Sequence, residues 1–452
     1  MHRSSLAIAC LAAAAVGCHS YEPAPVDLQA HLRAFAARLP DVVRHLQGAA
    51  TGPGEAPFDL HDGIDRREAH LLTVWFAPSC RLARQRAGIA AVARDEAGRW
   101  NDPTLSAYAR RFLASLQNPW LITTAVGFTL PLSGRLDGER ALAAAELDAA
   151  VVAARAAEAQ AVQRTDAAFA RWSADRHRVE LLRELSEQVR ELEQLARELA
   201  DAGERTEQEA RAFTLERLAR EAELAQAEAA AAAGVLQLKR LVGLHPDAEV
   251  TFVPDLAPPL RVADAAQRRE RLATGPRLAE LQRAHTTAER QLELEVARQW
   301  PDLTLAPGWE NEEAEPALAL GSNLPLPLFR GNTPAIRTAE AERSAAAEAL
   351  RAGLEEALHD LAAAELQLDA ARRQQELVTR ELLPLSQQQV DDGRRLAALG
   401  ELQPLLILDA LVRAHTARSQ AIAADLAVAE ATVAVNSLFW NELPAEPGEE
   451  PR

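Results

Sequence analysis

The sequence is poor in aromatic residues, glycine and cysteine, and it has no long apolar run beyond its first residues. Aromatic side chains make up 4% of the 452 residues, and there are 21 glycines and 3 cysteines. This composition is typical of long helices rather than of a compact α/β enzyme. Because no later segment approaches the roughly 18 apolar residues of a membrane-spanning helix, a chain that crosses a membrane would have to use β-strands closed into a barrel.

Signatures of catalysis and of metal binding are also absent from the sequence. There is no HExxH motif, no paired CxxC motif, no phosphate loop and no Gly-x-Ser-x-Gly motif. His61, His359 and His415 stand alone on polar segments. The formal charge of -17 argues against a nucleic-acid partner. We therefore predict a protein that is not an enzyme and that needs no cofactor and no bound metal.

The first residues have the form of a bacterial secretory signal. A positively charged start is followed by the apolar run Leu6–Val16, which is too short to span a bilayer. The string that ends in Cys18 resembles a lipobox, with Ala15 in place of the usual leucine. We predict that Cys18 becomes the lipid-bearing N-terminus, an ordinary signal peptide being the alternative. Cys10 is then lost, and Cys80 remains alone without an intrachain disulfide.

The chain contains an internal duplication, because residues 70–246 reappear in diverged form at 268–444. Both copies carry a strand-like segment that ends in Leu-Pro-Leu, first at 130–132 and again at 324–326. In each copy a glycine followed by a glutamate then breaks a long helical pattern. The order in each copy is helix, strand, loop, strand, long helix, break and long helix. This order predicts two helical hairpins, each preceded by a pair of strands.

The second strand of each copy alternates between an apolar face and a face of small or polar residues. The first strand of the first copy is ambiguous, because it carries Arg110 and Arg111. Such two-faced strands fit a wall between lipid and water, but four strands are too few for a transmembrane barrel, which takes at least about eight. The interpretation therefore requires an oligomer. The apolar positions are Ile122, Val126, Phe128, Leu130, Leu318, Leu320 and Leu324.

The helical segments repeat apolar residues every three and four positions, as coiled coils do. The pattern from Arg135 to Asp201 has no strong breaker, which predicts a rod on the order of 100 Å. A rod of this length exceeds any bilayer core and must project into water. The repeat is formed by Leu182, Leu185, Val189, Leu192, Ala196 and Leu199 on the outgoing helix, and by Leu215, Leu218, Ala222, Ala225, Ala229 and Ala232 on the returning helix.

From about Leu60 to Leu443 this layout resembles the TolC-type family of outer-membrane efflux proteins, and especially the acylated factors of tripartite drug or heavy-metal exporters. The resemblance implies a mainly α fold with a small β part, in which a homotrimer forms one transmembrane β-barrel continued by an α-helical periplasmic tunnel. It also implies a lipoprotein of the bacterial outer membrane, with lipid on Cys18. The implied partners are a periplasmic adaptor and an inner-membrane pump of the resistance-nodulation-division type.

The same resemblance gives the two hairpin tips a role. The segments Asp201–Gln208 and Asp391–Pro404 are expected to form a periplasmic mouth that docks the adaptor. Asp409, in a Leu-Asp-Ala match, is expected to line the aperture, while Leu406 replaces a second acidic residue. The alternative for Asp409 is an ordinary solvated position on a helix face. The residues expected at the tips are Gly203, Glu204, Thr206, Gly400 and Glu401.

We therefore predict an exit channel that passively conducts drugs or metal cations to the exterior. Alternatives are the exit duct of a type I protein secretion system and, in a different class, a periplasmic adaptor or a structural coiled-coil lipoprotein. The expected segments are a signal peptide (1–17), an extended lipid-anchored segment (18–60), a first repeat (61–246) with strands at about 103–112 and 120–131 and a hairpin at about 135–244, a linker (247–267), a second repeat (268–444) with strands at about 301–309 and 317–326 and a hairpin at about 333–440, and a disordered tail (445–452).

Overall fold

The computed structural model describes residues 20–39, 62–113, 120–312, 315–399 and 403–440. The described chain is mainly helical with one small sheet, which confirms the predicted mainly α class. Its first half contains the helices α1 (Leu28–Ala36), α2 (Arg66–Phe76) and α3 (Pro78–Glu96), the strands β1 (Thr104–Arg111) and β2 (Trp120–Leu130), and the hairpin helices α4 (Arg135–Asp201) and α5 (Glu207–Leu241).

The second half repeats the order of the first. It contains α6 (Ala265–Leu272), α7 (Pro276–Ala297), the strands β3 (Leu303–Glu312) and β4 (Glu315–Asn323), and a second hairpin made of α8 (Thr333–Leu377), a π-helical turn (Val378–Leu382), α9 (Leu383–Ala398) and α10 (Pro404–Asn436). In both halves a strand pair leads into a long helical hairpin.

The strands form one antiparallel sheet in the order β1, β2, β3, β4. The pairing of β2 with β3 joins the two repeats, because Thr124 lies opposite Trp309 across that boundary. The ambiguous first strand is present, with Leu105 opposite Val126. The two repeats therefore contribute to a single sheet rather than to two separate ones.

The second strand pair departs from the predicted boundaries. Residues 310–316 were expected to form a loop, but pairing continues through Asn311 opposite Pro316 and Glu312 opposite Glu315. Pro316 is tolerated there because it lies at the start of β4, where proline interferes least with a strand ladder. β4 also ends at Asn323 rather than near 326, since Pro325 follows the end of the strand. The other predicted loop, at 113–119, lies outside the described residues except for its first residue.

The segments predicted as linkers are more ordered than expected. The expected extended segment at 18–60 contains α1, which begins because the Asp27 carboxylate accepts hydrogen bonds from two backbone N–H groups at 2.9 Å. In the linker between the repeats, Phe252 is buried in the core of the first repeat and forms a bridge with Ile64. Both segments therefore pack on the helical body.

The long helices differ in continuity. α4 runs unbroken for 67 residues, as its pattern predicts, because no proline interrupts it. In the second hairpin the outgoing long helix contains a π-helical turn, which ends just before Leu383 and Pro384. There the Leu383 N–H donates to the carbonyl of Val378, five residues back. Proline lacks a backbone donor and clashes with the preceding turn, which explains this position of the irregularity.

The three larger apolar clusters of the described residues hold these helices together. One lies at the base of the first hairpin around Phe169 and Leu238, and a second at the base of the second hairpin around Leu361 and Val435. The third joins the two hairpins near their tips. It consists of Leu185 and Val189 on α4, Val390 on α9, and Ala410, Leu411 and Ala414 on α10.

The predicted coiled-coil positions behave differently on the two helices of the first hairpin. On α4, Leu182, Leu185 and Val189 are buried. On α5, Leu215 and Leu218 are exposed, and the helix instead turns Phe213 and Leu238 into the protein. The apolar stripe of α5 that contains Leu215 and Leu218 therefore faces outward from the described chain. We call this stripe the seam of α5.

Candidate functional surfaces

The sheet has one apolar face and one face of small or polar side chains. Register places the odd-numbered residues of β1 and β3 beside the even-numbered residues of β2 and β4. Most large apolar side chains of the sheet share this face and are exposed, with Leu318 at 90% and Leu105 at 77%. The opposite face carries mainly Thr, Ala, Gly and Glu, including Thr129 and Thr304, whose hydroxyls lie 3.4 Å apart. An exposed apolar face of this extent indicates contact with lipid or with another apolar surface.

The first hairpin tip is a tight, polar turn. Gly203 has φ of +75°, a left-handed conformation that favours glycine, and the Glu204 N–H donates to the carbonyl of Leu199 at 2.9 Å. Thr206 then begins α5 with a capping box, in which its hydroxyl accepts from the Glu209 N–H at 3.2 Å. In return the Thr206 N–H donates to the Glu209 carboxylate at 3.0 Å. This backbone hydrogen bond, more than any other contact, keeps the pKa of Glu209 below its usual value.

Of the residues expected at the second tip, Gly400 and Glu401 lie outside the described residues. The start of α10 that follows them contacts the first tip. A pocket of about 240 Å³ lies between the tips, with Phe213 of α5 on one side and Pro404 and Leu405 of α10 on the other. Phe213 is 1% exposed, so its ring is an apolar part of the first tip that lies beside the start of α10.

Asp409 lies on α10, within two turns of its start, and is exposed. Its carboxylate accepts a hydrogen bond from Arg413 Nε of the same helix at 2.8 Å, and both side chains are more than half exposed. Leu406, at the position of the expected second acidic residue, is 53% exposed. The structure thus places Asp409 and Leu406 on the surface near the second tip, and it gives Asp409 a basic partner that the sequence interpretation omitted.

A buried polar cluster between the first repeat and the inter-repeat segment was missed by the sequence interpretation. Asp166 of α4 accepts from Arg66 of α2 at 3.1 Å, and its Oδ1 lies 2.6 Å from His70 Nε2. Arg261, from the segment between the repeats, lies 3.6 Å from the same carboxylate, and Arg66 also binds Asp255 at 2.8 Å. The sequence offers little signal for it, because the residues are spread over almost 200 positions and lie on otherwise ordinary helices.

This cluster strongly perturbs one carboxyl group. Burial by itself would raise the pKa of Asp166, but the hydrogen bond from His70 and the charge of Arg66 outweigh it, and the pKa lies below its usual value. The cluster borders a cavity of about 1040 Å³ lined by both repeats. We regard it as a polar clamp between the first repeat and the inter-repeat segment, because its bonds connect α2, α4 and that segment.

The remaining sequence expectations concern cysteines, membrane helices and metals. Cys18 lies outside the described residues. Cys80 is fully buried against Ala77 and Ala161 as an unpaired thiol, and burial raises its pKa. Within the described ranges, no helix has both the length and the apolar character of a membrane span. The same part of the chain holds no group of three or more His, Cys, Asp or Glu residues suited to a metal ion.

Comparison with known proteins identifies the fold. No protein-family model and no curated protein sequence matches the chain. In structure it is similar to the outer-membrane channel OprN, at 17% identity and a TM-score of 0.70, over 83% of this chain and 90% of that one. It is similar to the MtrE outer-membrane channel of Neisseria gonorrhoeae, which was solved in an open state. The identity is 16% and the TM-score 0.65, over 87% of this chain and 94% of that one. It is also similar to the CmeC outer-membrane channel of Campylobacter jejuni, at 14% identity and a TM-score of 0.65, over 90% of this chain and 93% of that one.

The fold is therefore that of outer-membrane channels. More particularly it is the fold of the TolC-type efflux channels, so the resemblance noted in the sequence is confirmed at the level of the fold.

Proposed function

We propose that this protein is the outer-membrane exit channel of a tripartite efflux system and that it conducts its cargo passively. The observation that carries the proposal is the combination of a two-faced sheet with two long helical hairpins. The apolar face of the sheet suits lipid, the face of small and polar residues suits a water-filled lumen, and the hairpins are long enough to bridge an aqueous compartment. Catalysis has no part in this role.

Oligomerisation follows from two unsatisfied surfaces of the single chain. β1 and β4 are the edges of the sheet, and each presents a free row of backbone groups within the described chain. The seam of α5, with Leu215 at 69% exposure and Leu218 at 50%, has coiled-coil spacing without a partner helix in the described residues. A homotrimer that joins β1 of one copy to β4 of the next would give one closed twelve-stranded barrel and would cover helical seams at the same time.

The hairpin tips would form the periplasmic mouth. The rigid turn at Gly203, Glu204 and Thr206 presents polar groups to an adaptor, and the segment with Gly400 and Glu401 would complete this surface. Asp409 would line the aperture, where its pairing with Arg413 reduces the negative charge of the ring. The exposed Leu406 would add an apolar element to the same constriction.

The anchor and the partners complete the proposal. Lipid on Cys18 would hold the chain in the outer membrane beside its barrel, and a periplasmic adaptor would connect the tips with an inner-membrane pump. A periplasmic adaptor or a simple coiled-coil lipoprotein is a poorer account, because this chain has two hairpins and a shared four-stranded sheet. The cargo is a drug or a metal cation, and the part of the chain that the structure describes holds no metal-binding group that would favour the cation.

The direct test is fractionation of the full-length protein from bacterial cells. We expect it in the outer membrane, as a heat-modifiable trimer that runs as a monomer only after boiling. The Cys18→Ala variant should lose lipid while keeping the trimer, which separates anchoring from channel assembly. A monomer in the soluble or inner-membrane fraction would contradict the proposal.

A further inference from the structure

His415 lies on α10 at the point where the second hairpin meets the first. It borders a cavity of about 100 Å³ between α4 and α9, and another of about 300 Å³ between α4 and α5. The imidazole thus faces three helices from both hairpins. It stands one turn beyond Leu411 and directly after Ala414, which belong to the apolar cluster that joins the hairpins near their tips.

One ring nitrogen of His415 is buried without a hydrogen bond in the described part of the chain, and this nitrogen is Nδ1. A neutral imidazole tolerates this environment, since an unprotonated nitrogen needs no acceptor. A protonated imidazole would have a second N–H group that requires one, and an unmet buried donor costs free energy.

The charged groups around His415 also disfavour a proton. Arg418 follows it on α10, and Arg220 faces it from α5. Arg394 of α9 and Arg178 of α4 line the adjoining cavities. Three of these arginines, Arg178, Arg394 and Arg418, therefore line the two cavities that the imidazole borders, and the charge of Arg220 acts on the imidazole from α5.

The carboxylates of these cavities are already matched with arginines. Glu184 of α4 binds Arg418 at 3.0 Å, and Glu223 of α5 binds Arg220 at 2.7 Å. Asp175 of α4 binds Arg178 at 3.1 Å. A proton on His415 would therefore have to share a carboxylate that already neutralises an arginine.

The Arg418 side chain ties this site to the contact between hairpins. Its two terminal nitrogens bind Glu184 of α4 and, at 3.2 Å, the Gln387 carbonyl oxygen of α9. A change in charge at His415, less than one helical turn away, would act on the polar link that supplements the apolar cluster between α4 and α10.

We propose that His415 is a proton-sensitive contact between the two hairpins, and that its protonation loosens α10 from α4 near the tips. The neutral imidazole favours the packed arrangement, whereas the imidazolium favours an arrangement in which water reaches the ring. In the proposed channel this contact would make the arrangement of the hairpins depend on pH. The argument for it uses only contacts within one chain. Mild acid would then ease the separation of the hairpins.

The direction of the pH effect follows from the environment of the ring. Burial, followed by the charges of Arg220 and Arg418, lowers the pKa of His415, and Glu184 offsets part of this effect. In a loosened, hydrated contact the pKa returns towards about 6.5. The packed contact is therefore most stable above about pH 6.5, and it loses stability as the pH falls below that value towards the lowered pKa.

Hydrogen–deuterium exchange of the full-length protein in detergent tests the proposal. Exchange of peptides from Leu405 to Arg418 is compared at about pH 7.5 and about pH 5.5, after correction for the intrinsic pH dependence of exchange. We expect the corrected rate to rise on acidification by up to about tenfold, because pH 5.5 lies about one unit below the pKa of the imidazole in the loosened contact. In the His415→Gln variant this rise should disappear.

Two further variants make the test specific. His359→Gln, which changes an exposed histidine of α8, should respond to acid like the wild type. Arg220→Gln keeps His415 but removes a facing cation, so its acid response should be smaller, and it serves alone if His415→Gln fails to fold. An unchanged corrected rate in the wild type, or a full acid response in either His415→Gln or Arg220→Gln, would overturn the proposal. Because exchange is read within the chain, the outcome does not depend on whether the protein conducts.

Discussion

At the scale of single residues, burial decides how much a charge pair contributes to stability. Asp166 is buried and receives contacts from three basic side chains, whereas Asp409 is exposed and paired with one arginine of its own helix. A buried carboxylate with good partners is costly to disrupt, while an exposed pair contributes at most about 1 kcal/mol. Asp166 therefore stabilises the fold, whereas Asp409 contributes little to stability and places an exposed negative charge near the second tip.

Replacing Asp166 tests the clamp between the first repeat and the inter-repeat segment. Asp166→Ala leaves Arg66 buried with only Asp255 as an acidic partner, so we expect a loss of about 3 to 5 kcal/mol in the free energy of unfolding. Because the pKa of Asp166 is lowered in the fold, its contribution is present above the unfolded pKa of about 3.9 and is lost as the pH falls below it. Denaturant unfolding of the wild type and the variant at several pH values measures both effects. Equal stability at neutral pH would show that the cluster is not a clamp.

Replacing the two members of the exposed pair should change conduction in opposite directions. Asp409→Ala removes a carboxylate from the proposed aperture, so single-channel conductance should rise and block by divalent cations should weaken. Arg413→Ala frees that carboxylate, so cation block should strengthen. Asp369→Ala, at an exposed position of α8, is the matched control and should behave like the wild type. If conductance and block are the same in all four proteins, Asp409 has no role in the aperture.

At the scale of elements, the alternation of the strands and the periodicity of the helices were readable from sequence because each depends on neighbouring residues. The bounds of α4 and the apolar face of β2 follow directly from such local patterns. The sequence patterns did not predict three features: the extra ladder pairs at the β3–β4 connection, the helix α1 and the π-helical turn. Pro384 was an available signal for that turn, whereas the Arg66 and Asp166 contact depends on tertiary packing that a local pattern does not contain.

The two faces of β4 provide a test of the sheet as a membrane wall. Leu318 lies on the apolar face and Ala317 on the opposite face of the same strand, and both are exposed in the single chain. Leu318→Lys should cost about 2 to 4 kcal/mol in a bilayer and reduce the trimer recovered from outer membranes, whereas Ala317→Lys should be tolerated in a water-filled lumen. Recovery is measured by unheated gel electrophoresis of membrane fractions. Equal recovery of the two variants would contradict the assignment of the faces.

At the scale of the whole molecule, several surfaces of the single chain lack the neighbour that they would be expected to contact. The two edges of the sheet, its exposed apolar face and the outward seam of α5 each require a neighbour or a lipid environment. One trimeric assembly would satisfy all of these surfaces. The duplication supplies two hairpins per chain, so three copies would surround a tunnel with six hairpins whose tips form a common mouth.

The central claim is that this assembled molecule conducts ions across a membrane, and planar-bilayer recording tests it most directly. Purified full-length protein should insert as a trimer and give discrete current steps, with larger steps for Asp409→Ala than for the wild type. A folded, membrane-inserted protein that gives no current steps, in the wild type and in Asp409→Ala alike, would contradict the account.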